Sequence, residues 1–403
     1  MKRKLFEDIK VADFTWAGVG PRTIKYLADY GAEIVKIESV DRPDPLRALP
    51  PFKDNIPGVN RSAVFARLNT NKYDITLNLS NSKALKVAKK IISWADVVVE
   101  SYSPGTMAAW GLDYENVRKF KPDIIMVSTS MLGQTGPFAG SHGYGYILAS
   151  FVGFNYITGW PDRDPSGVYG PFTDFIAPLF NGTALLAAID YKRRTGKGQY
   201  LDLSQYESSI HFLSPLILDY TVNGREPQRR GNRSNRFAPH GTYKCKGDDR
   251  WCAIAVSSDE EWRNFCNVLG NPDWTNDLKF ATHLLRINNS SELDKFVEEW
   301  TSERSVEEIV VLLQKAGIAA GVAANAEDML NHAQLKHDKL FWHLNHPEMG
   351  ECFSMRAAVN LSEASYEMTR PPILGEHTEH VCKKILGMAD KDFQALKGEG
   401  VFD

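Results

Sequence analysis

The residue with the most chemical potential in this sequence is Asp174, a lone carboxylate in the apolar, aromatic run Gly170-Pro171-Phe172-Thr173-Asp174-Phe175-Ile176-Ala177-Pro178. A carboxylate drawn out of water is costly to keep unless it has a partner or a task. Pro178 to Arg194 reads as a helix: Ala and Leu dominate it, Lys192, Arg193 and Arg194 fill its last turn, and Gly196 and Gly198 end it. Asp174 is therefore expected just before that helix, near its positive end. The field there favours the ionised form, which a nucleophile toward an activated acyl group requires. Helix capping needs the same residue type in the same place, and the local sequence fits both roles.

The elements that must position Asp174 alternate in type. Ile34–Ile37, Ile75–Leu79, Asp96–Glu100 and Ile124–Ser128 read as strands, with helical runs at Arg22–Asp29, Ser82–Trp94 and Tyr114–Phe120 between them. This pattern predicts an α/β fold with a doubly wound parallel sheet. Ligands of such sheets lie at the carboxyl ends of the strands, where Gly18, Gly20, Pro104-Gly105 and Gly133 to Pro137 would gather. After Gln199 the character changes. A helical linker over 201–224 leads to the basic segment Gln228 to Arg236, and a hairpin around Gly247-Asp248-Asp249-Arg250 opens a smaller α+β domain over 225–330. The tail from 335 to 403 is too short for a core of its own and is expected to complete the large domain of 1–200.

Composition narrows the function classes. The 403 residues are 43% hydrophobic and 24% charged, enough for two domains with real cores, and the net charge of −3 argues against nucleic acid as a partner. No signal-peptide pattern opens the chain. The longest apolar stretch, from about Gly145 to Trp160, is interrupted by Gly, Asn and Thr, so no membrane span is expected. Five cysteines without paired spacing read as reduced thiols of a cytoplasmic protein.

Four blocks give the sequence a resemblance. They are Val11 to Arg22 with Tyr26 to Glu38; Asn69-Thr70-Asn71-Lys72 with Asp96 to Glu100, Pro104-Gly105 and Gly111-Leu112; Ser128, Gly133 to Pro137 and Asp174 with Arg194 to Gln199; and Arg370 to Thr378. In this order and spacing they resemble the family III CoA-transferases of the carnitine and bile-acid type. The resemblance implies that Asp174 attacks an acyl-CoA thioester. A mixed anhydride and CoA thiolate form, thiolate attack then gives an aspartyl-CoA thioester, and an acceptor acid reverses the sequence. It implies CoA thioesters as substrates, no tightly bound cofactor and no metal. It further implies an interlocked dimer, either a homodimer or a heteromer with a related subunit. By position in the family, Val19, Arg47, Asn71, Lys72 and Met131 are expected to contact CoA, with Leu68 against the adenine.

Where many members read Asn-Phe-Arg-Pro-Gly, this chain has Ser101-Tyr102-Ser103-Pro104-Gly105, so one cation and one amide are missing from that CoA-binding turn. Lys121 or the Arg229/Arg230 pair is a candidate replacement. A glycine-rich flap found in some members is replaced by Asn232 to Ala238, and Arg233 or Arg236 there is a candidate for binding a substrate carboxylate. Gly18 and Tyr144 are expected on the acyl side. The related racemases place a His-Asp pair where this chain has Tyr144-Gly145; His142 lies two residues away, and racemase-like chemistry is the alternative reading. A non-catalytic subunit of a hetero-oligomer is a second alternative. Phe151, Phe154, Tyr156, Trp160, Tyr169, Phe172 and Phe175 suit either a core or a pocket for an aromatic dicarboxylate such as benzylsuccinate, with succinyl-CoA as donor.

Overall fold

A computed structural model describes residues 4–403 and divides them into two compact units. The first comprises residues up to 155, 167–226 and 338–403. Its centre is a six-stranded, wholly parallel sheet of β1 (Lys10–Phe14), β2 (Glu33–Glu38), β3 (Tyr73–Thr76), β4 (Val97–Glu100), β5 (Ile125–Ser130) and β6 (Gln199–Ser204), in the order β3-β2-β1-β4-β5-β6. Side chains alternate between faces along each strand. Ala12, Phe14, Val35, Ile37, Val98 and Met126 enter one core, and Val11, Ile34, Val97, Val99, Ile125 and Val127 enter the other. Both faces are buried, which is why Val97-Val98-Val99 reads as a continuous apolar run.

Helix α1 (Val19–Asp29) contributes Ile24 and Leu27 to the second core. Helix α2 (Ser82–Trp94) contributes Ala84, Val87, Ala88 and Ile91 to the first, and Val381, Phe393 and Phe402 of the tail pack into the same core. Helix α3 (Gly145–Val152) and helix α4 (Thr173–Thr195) follow β5, and Leu185, Ala188 and Ile189 of α4 join α1 in the second core. The stretch expected as a linker differs from the reading above. Residues up to Ser204 are strand β6, and helix α5 (Ser214–Asn223) lies in the same unit. The tail adds an antiparallel pair, β10 (Phe341–His346) with β11 (Gly350–Met355).

The second unit comprises 156–166 and 227–337. Its antiparallel sheet of β7 (His240–Lys244), β8 (Trp251–Ala255) and β9 (Ala319–Val322) packs with Trp262, Phe265, Phe280, Leu293, Val297 and Leu313. The Tyr243 hydroxyl donates to Asp294 at 2.7 Å within that unit. All five cysteines are free thiols. No helix among the described residues is long and apolar enough to cross a membrane, and they contain no cluster of three or more potential metal ligands.

Candidate active site

The strand order reverses between β1 and β4, and the segments leaving their carboxyl ends build the site. After β1, the Thr15 amide and hydroxyl both donate to Asp13 Oδ1. The Ser101 hydroxyl accepts from Trp16 N–H and donates to Trp16 C=O, each at 3.0 Å, and Ala17 N–H donates to Asp44. These bonds hold Ala17 at a φ of 60°, a conformation that a residue with a Cβ adopts only under constraint. The chain is thereby delivered to Gly18 and the start of α1.

Asp174 meets that turn directly. A Cβ placed on Gly18 would lie 2.2 Å from Asp174 Oδ2, and one on Gly145 would lie 2.7 Å from Oδ1. The carboxylate thus sits between two stretches of backbone that only glycine lets approach so closely. Helix α4 begins at Thr173, earlier than its Ala- and Leu-rich body suggests, so Asp174 lies inside the first turn. Pro178 lies inside the helix and lacks the N–H that would bond the Asp174 carbonyl, so this carbonyl is left without its intrahelical i+4 donor. Gly145 opens α3 and Gly18 caps α1, so the amino ends of three helices converge on one carboxylate. Amide N–H groups at helix starts have no intrahelical acceptor and are suited to receive a developing oxyanion.

Burial pushes the Asp174 carboxyl up from the usual carboxylate range to about 6, with the Arg22 guanidinium opposing the rise. Desolvation therefore outweighs the helix field that the sequence alone suggests as dominant. At neutral pH the group is still ionised, and its raised basicity makes it a better nucleophile. Arg22 stands one helical turn beyond Gly18, and its guanidinium lies 4.0 Å from the centre of the Phe175 ring. The sequence reading missed Arg22 and Gly145 as site residues. For Arg22 the i, i+4 spacing from Gly18 was an available signal.

Other expected residues take different places. Arg47 is buried, and all five of its N–H groups are engaged by Glu38, Asp74, Asn60 and the Val59 carbonyl, which leaves none for a phosphate. Lys72 is buried as well, with its ammonium on Asp13, Asn69 and the Pro21 carbonyl. Asn71 ties the tail down through Glu367 and Thr369 and also donates to Asp29. Lys121 pairs with Asp123 ahead of β5, at the amino edge of the sheet and not at the crevice edge. Leu68 packs on Leu46 and Phe65, and Val19 is buried as the first residue of α1. Met131 leaves β5 and packs against the cluster around Leu148.

Tyr144 is exposed beside Gly145 as the residue capping α3, and His142 is exposed in the preceding loop. Arg233 and Arg236 belong to the second unit, where Arg233 lines a cavity with His240 and Gln314, and the Arg236 carbonyl bonds His283. Tyr102 and Ser103 line a cleft of about 510 Å³ at the carboxyl ends of β1 to β4, together with Thr15, Trp16 and Glu38. Tyr102 packs edge-on against the Trp16 and Trp110 rings. Arg42 is the one cation among the described residues lining that cleft, and the sequence reading did not single it out.

Gly18→Ala tests the close approach. The obstructing atom is the mobile end of the Asp174 side chain, so a Cβ can be accommodated by turning the carboxylate away. We expect kcat/KM to fall by at least about 100-fold with a nearly unchanged melting curve. Full activity would refute the clamp.

A doubly wound sheet with a desolvated carboxylate at its switch point, framed by helix amino ends, defines an enzyme built for acyl-group chemistry. The family model for CoA-transferase family III matches residues 6–378, and the chain belongs to that family. It is 30% identical to mouse succinyl-CoA:glutarate CoA-transferase, over 99% of this chain and 91% of that protein. It is 28% identical to the Chloroflexus aurantiacus succinyl-CoA–D-citramalate CoA-transferase, over 98% and 97% respectively. A crystal structure of a CaiB/BaiF family protein from Brucella suis superposes with a TM-score of 0.86 at 27% identity, covering 96% of this chain and all of that one.

Proposed function

We propose that this enzyme moves CoA from succinyl-CoA to a second dicarboxylic acid through covalent intermediates on Asp174. The observation that carries the reading is the Asp174 carboxylate held against Gly18 and Gly145, ionised at neutral pH yet raised to about 6 by burial. Attack on the thioester carbonyl gives a succinyl-aspartyl anhydride and CoA thiolate. Thiolate attack on the aspartyl carbonyl releases succinate and leaves the aspartyl-CoA thioester, and the acceptor acid runs the same two steps in reverse. The helix-start amides would stabilise each tetrahedral oxyanion. CoA would extend along the cleft of Tyr102 and Ser103, with Arg42 toward a phosphate.

The relatives' acceptors, glutarate and D-citramalate, support a short aliphatic dicarboxylate. Benzylsuccinate asks for rings around the acyl group. Within the first unit, Phe154 is buried against Phe172 while Tyr169 is almost wholly exposed, which favours the aliphatic acids. Assay of a panel of acids, benzylsuccinate included, against succinyl-CoA tests this. Aliphatic dicarboxylates should be the best acceptors; an aromatic acid ahead of them would overturn the preference, and no transfer to any acid would overturn the function.

Assembly with a second copy is part of the proposal. Helix α5 buries none of its residues within the chain, yet it carries the exposed apolar side chains Ile217, Leu218, Tyr220 and Val222, and α4 exposes Leu179, Phe180 and Leu186. So much apolar surface on neighbouring stretches of one unit calls for a partner. If the two chains interlock, light scattering on dilution should show the dimer mass until the protein unfolds. A folded, monodisperse monomer would refute this.

A further inference from the structure

The Arg22 side chain makes no hydrogen bond or ion pair among the described residues, and its Nε is buried with no acceptor. Buried donors in folded proteins are almost always satisfied, and a guanidinium left without an acceptor points to one that arrives from outside. Its guanidinium lies over the ring of Phe175, the residue next to the nucleophile. A second guanidinium, that of Arg67 on the short helix Ala63–Leu68, is close enough to repel it, and Arg67 likewise forms no ion pair among the described residues. The nearest carboxylate, Asp174, attracts Arg22 without pairing with it. Three buried cations of the first unit are each compensated: Lys36 by Asp44, Arg47 by Glu38 and Lys72 by Asp13. Arg22 and Arg67 adjoin one another without an ion pair, and Arg22 stands beside the reacting carboxylate.

We propose that Arg22, supported by Arg67, binds the second carboxylate of the dicarboxylic acyl chain while the first reacts at Asp174. This rests on the dicarboxylate reading above and adds the residues that select for it. A planar guanidinium on an aromatic ring presents two parallel donors to a carboxylate, which a monocarboxylic acid of the same length cannot use. The fork would be satisfied by the correct acid and left unpaired by the wrong one, the arrangement that gives strong discrimination.

The test compares wild type with Arg22→Met, Arg22→Lys and Arg67→Gln. Each is assayed at saturating succinyl-CoA with succinate analogues of increasing length and with their monocarboxylic counterparts, glutarate against pentanoate being the central pair. In a ping-pong reaction kcat/KM for the acceptor describes only the CoA-loaded enzyme and the acid, so effects on the donor cancel. The ratio of kcat/KM for glutarate to that for pentanoate should fall by about 30-fold or more in Arg22→Met. It should fall less in Arg22→Lys, which keeps the charge and loses the fork, and in Arg67→Gln. Thermal melting of each variant confirms folding, and Arg67→Gln, at an exposed position, keeps the test open if Arg22→Met fails to fold. Equal losses for both acids would overturn the inference and assign Arg22 to CoA or to structure. A wild type that transfers CoA without preferring dicarboxylates would overturn it too while leaving CoA transfer standing, and absence of transfer to every acid would remove both readings.

Discussion

Asp174→Asn is expected to abolish CoA transfer while making the folded chain more stable above pH 6. Asparagine keeps the shape of the side chain but cannot form the anhydride, so the loss in kcat should reach at least about 10⁴-fold, as for removal of other covalent nucleophiles. Incubation of wild type with acyl-CoA, followed by hydroxylamine, should place a hydroxamate on Asp174, and the variant should show none. The pH dependence follows from the same burial. In wild type, kcat/KM should rise tenfold per pH unit up to about 6 and then level off, because only the ionised carboxylate attacks. For stability the sign is opposite. Between its ordinary value of 3.8 and about 6, the folded chain retains a proton that the unfolded chain has released, so stability falls as pH rises through this window. The variant has no such penalty. Its advantage should be absent in acid and grow to at most ~3 kcal/mol above pH 6, as read by denaturant unfolding. Substantial transfer by Asp174→Asn would end the nucleophile assignment, and equal stability at high pH would show that the carboxylate is not desolvated.

Arg47→Met should destabilise the first unit by about 3–5 kcal/mol, the usual consequence of removing one partner from a buried ionic cluster. Three cations, Lys36, Arg47 and Lys72, are buried with Asp13, Glu38, Asp44 and Asp74. Burial raises Glu38, but Lys36 and Arg47 overcome it and hold it to about 2, whereas burial and the adjoining Glu38 drive Asp74 well above the carboxylate range. Asp74 therefore carries the proton of the pair, and the cluster balances three positive charges against three negative. Methionine fills the volume but leaves Glu38 without its bidentate partner. It also loosens the tail, because Asp74 receives the Gly375 amide and its own backbone joins His377. The stability loss should appear in denaturant unfolding with no matching rise in KM for the acyl-CoA donor. A selective rise in KM with unchanged stability would return Arg47 to the phosphate-binding role that its place in the sequence suggests.

That reversal shows where sequence reading stops. Arg47, Lys72 and Asn71 have the charge and polarity of phosphate ligands, and nothing local reveals that their donors are already engaged. Their partners, Glu38 and Asp74 for Arg47, Asp13 for Lys72, and Glu367 and Thr369 for Asn71, are brought to them only by parallel strand pairing and by the returning tail. Ser101 is similar. Its loss of an amide relative to the family pattern reads as a weakened phosphate site, yet its hydroxyl fixes the Trp16 backbone and so the turn that reaches Gly18.

The sequence by itself determined the family, the α/β class, most strands and helices of the sheet, and Asp174 as the residue to examine. Those features rest on short-range causes: apolar period, turn residues, helix stops and motif order. Tertiary structure alone decided which side chains share the site. Gly145, 29 residues from Asp174, touches its carboxylate because two helix starts meet there, and Arg67 stands beside Arg22 although they come from different helices. Whether a charge is a ligand or a strut depends on the desolvation and partners it meets after folding, and both are set by contacts between segments far apart in the chain.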